Sequence, residues 1–378
     1  MQVLILSPFF RPNIGGVETH LTDLTEHLRK KHYKVHVVTY TPLTTNVDGV
    51  PAREVAKNLD VHRVKWPGRG IYFLLERYFI LHFLYLFPAL FFYSMIFMLR
   101  HKIHVIHAHG LLATAIADIL GKIFKTKVVM SVHGIYNLKQ RPVYRRFVRL
   151  ILLPVNQILV LSARSKKDFL ATGISKNKFA IYTHWVDQDI FKPPHDKYEL
   201  KRKMGFHNDF VVLFVGRLLQ SKGIKTLLTV AERLPLDVKL LFVGTGPMEN
   251  EILKACQQRS NIRFVGKISV EKLVYYYGVA DLVVVPSQNE EGFARVVLES
   301  LSCGVPLIAA NKGCLLEMIK PSVGKLMEPT PERLYEEILS LQQNREEVEL
   351  MAANCRSYAL ESFSERNAAL IEEVYQNG

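Results

Sequence analysis

The sequence predicts an α/β protein built of two doubly wound, Rossmann-like domains. Three observations carry that reading. The chain has 378 residues, room for two domains at roughly 100–200 residues each. Short runs of β-branched and aliphatic residues alternate with amphipathic stretches, which implies parallel sheets covered by helices on both faces. The alternation occurs twice, on either side of a polar stretch, 187–208, that carries Pro193 and Pro194.

In the first series the expected strands are Val3–Ser7, Lys34–Thr39, Val105–Ala108, Val128–Val132 and Gln157–Leu161, with Glu18–Lys30 as the first amphipathic helix. In the second they are Val211–Val215, Val238–Val243, Ile262–Val265, Leu282–Val285 and Leu307–Ala309. Helices Lys222–Arg233, Glu249–Gln258 and Glu291–Ser302 lie between them. The expected domains are 1–186 and 187–362, with the last helix, 363–378, free to return to the first domain. Ligands of open parallel sheets bind beyond the carboxyl ends of the strands. Two such domains are expected to face each other across a cleft lined by those ends.

Charge separates the halves. Residues 1–186 hold 26 Lys and Arg against 9 Asp and Glu, a net of +17, whereas 187–378 hold 23 against 26, a net of −3. That asymmetry points to an anionic partner for the first half, nucleic acid or anionic lipid, unless that half is simply basic. An RNA platform interleaves aromatic and basic residues; here the aromatics gather in an uncharged run, and no nucleic-acid partner is expected. Cys256, Cys303, Cys314 and Cys355 form no CxxC pair, so reduced thiols are expected. Met1–Pro12 has neither a basic n-region nor a small-residue cleavage site and reads as a first strand rather than a signal peptide.

The uncharged run is Tyr78–Leu99, 22 residues, long enough to cross a bilayer. It falls between strands of one sheet, and Pro88 is expected to kink or break it. A surface-lying or membrane-dipping hairpin, a buried helix or oligomer contact, and a true span all stay open. The first is the expectation. Phe91, Phe92 and Phe97 would then be its apolar contacts, and Arg77, with Arg141, Arg145 and Arg146 farther along, would meet an anionic membrane surface or the acceptor.

Three places suggest anion or hydroxyl chemistry. Gly15 and Gly16 lie between the first strand and its helix, where backbone amides and the helix dipole favour an anion such as a diphosphate. Arg217 and Lys222 follow a strand end and lead into a helix; cations there oppose the macrodipole, which suggests a ligand rather than a solvated helix start. Glu291 and Glu299 stand eight positions apart after the strand Leu282–Val285. On one helix both carboxylates would lie along one face, at the spacing of a sugar and a ribose joined by a diphosphate. A cap and a surface glutamate are the plainer alternative. Gly244–Pro247 reads as a tight turn, since a third fingerprint glycine is missing. His107 and His109 share a strand face while His104 points away, and no metal site is expected there.

Taken in order, GGVE at 15–18, the VGR…KG run at 215–223, GTGP at 244–247, EGFARVVLE at 291–299 and CGVPLIA at 303–309 resemble glycosyltransferase family 4, enzymes of the two-domain GT-B fold. The resemblance covers nearly the whole chain. It implies a retaining, metal-independent hexosyltransferase with no cofactor, working at the cytoplasmic face of a membrane. Its donor would be a nucleotide diphosphate sugar and its acceptor a lipid or a lipid-linked or cell-surface glycan. It implies catalytic roles for His133, Arg217, Lys222 and Glu291. It implies donor contacts from Gly15, Gly16, Arg217, Lys222, Glu291, Gly292, Phe293, Ala294, Arg295 and Glu299, with Glu299 on the ribose. The sequence departs from the family pattern at Ala294 (often glycine), at Arg295 (commonly apolar), and at His184–Asp187, where NGVD is usual. The rival readings are a nucleotide-sugar epimerase of the same fold and a non-catalytic, membrane-associated nucleotide-sugar-binding protein.

Overall fold

The structure, a computed structural model, describes residues 1–377 apart from 46, 48, 67, 68 and 76, and only the backbone of residue 69. It divides into two compact units, one formed by residues 1–184 and the segment from Glu365 onward, the other by Trp185–Ser364. Each unit is an open sheet with helices on both faces.

The first sheet comprises β1 (Gln2–Leu6), β2 (Lys34–Tyr40), β3 (Arg53–Ala56), β4 (Leu59–Val64), β5 (Val105–His109), β6 (Lys127–Ser131), β7 (Gln157–Val160) and β8 (Phe179–Ile181). Their order is β3-β4-β2-β1-β5-β6-β7-β8. Neighbours are parallel except for the β3–β4 pair. The strand order reverses between β1 and β5, so the ligand-binding switch point of this unit lies beyond Leu6 and His109. Strands β3, β4 and β8 were not expected from the sequence. β3 and β4 are a hairpin rich in charged residues, turned at Asn58 in the left-handed region (φ 61°). At the sheet edge β3 is largely exposed, so no apolar run marks it.

The second sheet comprises β9 (Phe210–Val215), β10 (Val238–Val243), β11 (Ile262–Gly266), β12 (Leu282–Val285), β13 (Leu307–Ala310) and β14 (Gly324–Met327). All pair in parallel in the order β11-β10-β9-β12-β13-β14. Alternate residues feed two cores. Val211, Leu213, Val283 and Val285 point into one, and Phe210, Val212, Phe214 and Val284 into the other. A parallel sheet buried on both faces has this apolar continuity. The switch point here lies between β9 and β12. The polar stretch 187–208 contains its own short helix, Lys197–Lys203, and belongs wholly to the second unit.

The uncharged run is a single helix, Phe79–Arg100, with Pro88 inside it. This corrects the expected hairpin. Proline removes one backbone donor and crowds the preceding turn. One turn on, Tyr40 Oη donates to the Leu86 carbonyl and accepts the Leu90 N–H at 3.2 Å, so both groups keep a partner. Leu86, Leu90, Ser94, Phe97 and Met98 form the buried face, while Ile80, Leu81, Leu84, Phe92, Ile96 and Leu99 are exposed. Because β4 and β5, on either side of this helix in the chain, belong to one sheet, a crossing would divide that sheet.

Candidate active site

At the β9–β12 switch point two loops are held face to face. After β9 the chain passes exposed Arg217 and a short 3-10 turn, Gln220–Lys222, before the helix Ile224–Ala231. Gly223 separates turn from helix at φ 83°, and a side chain there would collide with the Pro286 carbonyl. That approach requires glycine and explains why the helix starts two residues after Lys222. The Gln288 N–H donates to the Ser221 carbonyl at 2.8 Å and Lys312 Nζ to the Gln288 carbonyl at 2.8 Å, which fixes the second loop.

The second loop carries Glu291. Its carboxylate accepts from Lys222 Nζ at 2.5 Å and from Ser287 Oγ. Its backbone carbonyl accepts the Cys314 N–H at 2.9 Å. Glu291 is buried, while Lys222 is about one-third exposed at 31%. The expected helix from Glu291 instead begins at Arg295. Gly292 and Phe293 lead through a bend to the extended Ala294 before it, and Glu291 is not on its face. Glu299 is on the helix, two positions from the buried Val297. Its Oε1 accepts from Arg295 Nε at 2.9 Å and its Oε2 from the buried Tyr277 hydroxyl at 2.8 Å. Arg295 also donates to the Trp185 carbonyl at 3.3 Å. Tyr277, Ser287 and Lys312 were not singled out in the sequence. Ser287, just past the β12 end and Pro286, was the most accessible to such reasoning.

In the first unit, Gly15 precedes the helix Gly16–Lys30, and among the described residues nothing beyond its neighbours and its own helix backbone stands within 4 Å of where a Gly16 side chain would begin. Asn13 anchors this loop by accepting the Thr44 N–H at 3.1 Å and the Thr44 hydroxyl at 2.9 Å. His133, just past β6, lies 2.9 Å from His109 at the end of β5, the rings stacked 5.1 Å apart. His20 stacks on His184 at 3.7 Å, and both lie within 6 Å of the His133 ring. Burial pushes His133 down to about 4 and His109 well below the ordinary imidazole value, with neighbouring histidines adding to the latter. Both are neutral at pH 7, one ring nitrogen of the pair donating and the other accepting. His107 bonds Ser131 and Tyr375 at 2.8 and 2.6 Å, while His104 Nδ1 accepts the Gln2 N–H. Tyr375 comes from the final helix, Ala368–Gln376. Residue order does not group His109, His20 or His184 with His133, because their proximity depends on the pairing of β5 with β6 and on the packing of the first helix and of the segment after β8.

Among the residues expected at a membrane or acceptor, Arg77, Arg141 and Arg146 are exposed and Arg145 half-buried. Phe92 is 55% exposed and Phe91 packs partly against the core. Phe97 is 5% exposed and lies between the helix and the sheet, its ring 5.1 Å from His36 and 5.0 Å from His62. It is a core residue, which corrects its assignment as a membrane contact. The helix is apolar all round, so its composition does not reveal which face turns inward. Phe79 and Phe83 meet Tyr144 and Phe147 of the basic helix Pro142–Leu152 at 4.9–5.6 Å, making one continuous apolar and basic surface.

Two Rossmann-like units in one chain define a fold class, and the comparisons agree with it. Residues 14–189 match the model of Glycosyltransferase Family 4 and residues 196–359 that of Glycosyl transferases group 1. The chain is a glycosyltransferase of the GT-B fold. It is 25% identical over 342 residues to a GDP-mannose-dependent monoacylated alpha-(1-6)-phosphatidylinositol monomannoside mannosyltransferase of Corynebacterium glutamicum, covering 86% of this chain and 84% of that one. It is 25% identical over 352 residues to a phosphatidylinositol N-acetylglucosaminyltransferase chain of Arabidopsis thaliana, covering 89% and 73%. Its fold matches sucrose-phosphate synthase from Thermosynechococcus elongatus with a TM-score of 0.83 at 21% identity, over 99% and 98% of the two chains. It also matches Anabaena Alr3699/HepE in complex with UDP-glucose, with a TM-score of 0.79 at 20% identity over 100% of each chain.

Proposed function

We propose that the chain is a retaining hexosyltransferase. It takes its sugar from a nucleotide diphosphate donor and delivers it to a lipid, or to a lipid-linked or cell-surface glycan, at the cytoplasmic face of a membrane. The observation that carries this reading is the Lys222–Glu291 pair at the β9–β12 switch point. A cation and a carboxylate held side by side match the diphosphate and the hydroxyls of a nucleotide sugar.

As the glycosidic bond breaks, negative charge grows on the diphosphate, and Lys222 and Arg217 meet it. The backbone amides of Gly292, Phe293 and Ala294, which lead into the helix, and of Arg295, its first residue, hold the phosphates. Glu291 accepts from donor-sugar hydroxyls and Glu299 from the ribose, since a carboxylate oxygen keeps a second acceptor position beyond its protein partner. Gly15 and Gly16 bring backbone close to the diphosphate or acceptor, and neutral His133 bonds a hydroxyl beside the reacting carbon. The acceptor hydroxyl attacks from the face the diphosphate leaves. The departing phosphate takes the proton, so the step needs neither a covalent protein intermediate nor a catalytic metal. The two phosphatidylinositol-linked relatives and the UDP-glucose complex of a similar fold support the donor and acceptor classes.

The exposed apolar face of Phe79–Arg100 and the neighbouring arginines support an acceptor end at an anionic lipid surface. The test is incubation with a panel of nucleotide sugars and a membrane lipid extract, with the anomeric configuration of the product read by NMR. Retention with transfer to lipid is expected. An inverted anomer would overturn the mechanism, and an epimer formed from donor alone would establish the epimerase reading.

A further inference from the structure

We propose that His36, Asp60 and His62 form a structural binding site for a divalent first-row transition-metal ion of the zinc type, apart from the transfer chemistry. The sheet register brings them together. His36 on β2 pairs directly with Asp60 on β4, and His62 follows two residues later on the same face. One donor atom from each residue lies within 4.8 Å of the other two.

Each ring has one nitrogen available to an ion. His36 Nε2 faces the side-chain amide oxygen of Gln2 at 3.2 Å. An amide oxygen only accepts, so Nε2 carries the proton and Nδ1 keeps its lone pair. That Nδ1 is buried and has no hydrogen-bond partner, in a residue 1% exposed. His62 Nδ1 lies 2.9 Å from the Tyr93 hydroxyl. In the tautomer whose Nδ1–H donates to the tyrosine oxygen, Nε2 keeps its lone pair for an ion, 3.1 Å from Asp60 Oδ1; the other tautomer turns an Nε2–H to that carboxylate instead. The spacing is close to the edge of a tetrahedral zinc sphere, about 3.3 Å for ligands near 2.0–2.1 Å. Gln2 and Tyr93 thus act as the outer partners that fix the tautomers of metal-bound histidines. Two imidazoles and a carboxylate suit zinc and its neighbours rather than magnesium or calcium.

The position makes the role structural. His36 and Asp60 sit near the amino ends of their strands, whereas the glycine loop and His133 follow carboxyl ends. Tyr93 and Phe97 belong to the helix Phe79–Arg100, so an ion here ties β2 and β4 to the base of that helix. Arg53 currently holds both Asp60 oxygens at 2.8–2.9 Å. Its side chain is 61% exposed and can turn away.

The test uses the full chain, stripped with a chelator, desalted and titrated with zinc at pH 7.5. One ion per chain and a raised unfolding temperature are expected. His62→Gln and Asp60→Asn should each weaken binding at least ten-fold, and Arg53→Gln should tighten it by freeing the carboxylate. Cobalt loading of the wild type should give visible bands of four- or five-coordinate intensity, lost in Asp60→Asn. These bands and Asp60→Asn carry the test if His62→Gln does not fold. A wild type that takes up no zinc, a cobalt spectrum of the hexaaquo ion, or variants that bind as tightly as wild type would overturn the site and leave His62–Asp60 as an ion pair alone.

Discussion

Lys222 Nζ lies 2.5 Å from Glu291 Oε1, a contact that joins two loops 69 residues apart in sequence. Removing either partner disturbs the other. Lys222→Ala is expected to lower turnover by roughly 10²–10³-fold, the range for loss of one group that stabilises transition-state charge. Donor affinity should fall much less, because the departing diphosphate carries more charge than the intact donor. Steady-state kinetics beside nucleotide-sugar titration checks this, and equal losses in both would limit Lys222 to ground-state binding.

Glu299→Ala is expected to weaken nucleotide binding by about 1.5–3 kcal/mol, the worth of a hydrogen bond to a charged acceptor. It also removes the carboxylate that Tyr277 and Arg295 both donate to, so it should lower stability. Tyr277→Phe separates the two effects, since it removes a bond to Glu299 and keeps the carboxylate. Calorimetric titration with nucleoside diphosphates should find Tyr277→Phe close to wild type and Glu299→Ala clearly weaker.

Salt and surface composition should act separately on membrane binding. Wild type is expected to pellet with anionic vesicles far more than with neutral ones, and high salt should weaken this without abolishing it. Ile80, Leu84 and Phe92 are exposed by 70, 61 and 55%. Replacing all three with Ser should remove the salt-resistant part and leave nucleotide affinity intact. Phe97→Ser should instead destabilise the fold by about 3–5 kcal/mol, as large core truncations do. Co-sedimentation and urea unfolding of both variants decide between a membrane face and a second protein contact.

Acid should destabilise the first unit through its buried histidines. His107 and His133 are held down to about 3 and about 4 by burial. Between those values and the unfolded value near 6.5, the unfolded chain binds more protons. Stability is therefore present above about pH 6.5 and lost as pH falls, by up to about 1.4 kcal/mol per pH unit for each histidine. Asp118, raised by burial to about 7, opposes this in the same window. Denaturant melts at pH 7, 6 and 5 should still fall, and His107→Asn should reduce the slope.

Chelator should leave the rate of sugar transfer unchanged, because protein groups meet the phosphate charge. A chelator-treated sample assayed with and without added divalent ion checks this. Complete inhibition that the ion reverses would put a metal in the transfer step.

The alternation of apolar strands with amphipathic helices was legible from residue order, because burial on both faces of a parallel sheet leaves a continuous apolar run in every strand. All ten strands expected from those runs formed. The loops bearing Gly15, Gly16, Arg217, Lys222 and Glu291 were legible too, since a strand end followed by glycine and charge marks a switch-point loop whatever the rest of the chain does. What residue order left undetermined depends on contacts between distant segments. Glu291 lies outside its helix because Gly313 and Cys314 pack against its backbone. Phe97 turns inward because the sheet offers His36 and His62 beneath it, while its helix has no polar face to orient it. The grouping of His133 with His109, and of His36 with Asp60, follows from strand order and register. Those are set by the packing of whole sheets, and a local pattern of period two or 3.6 does not encode them.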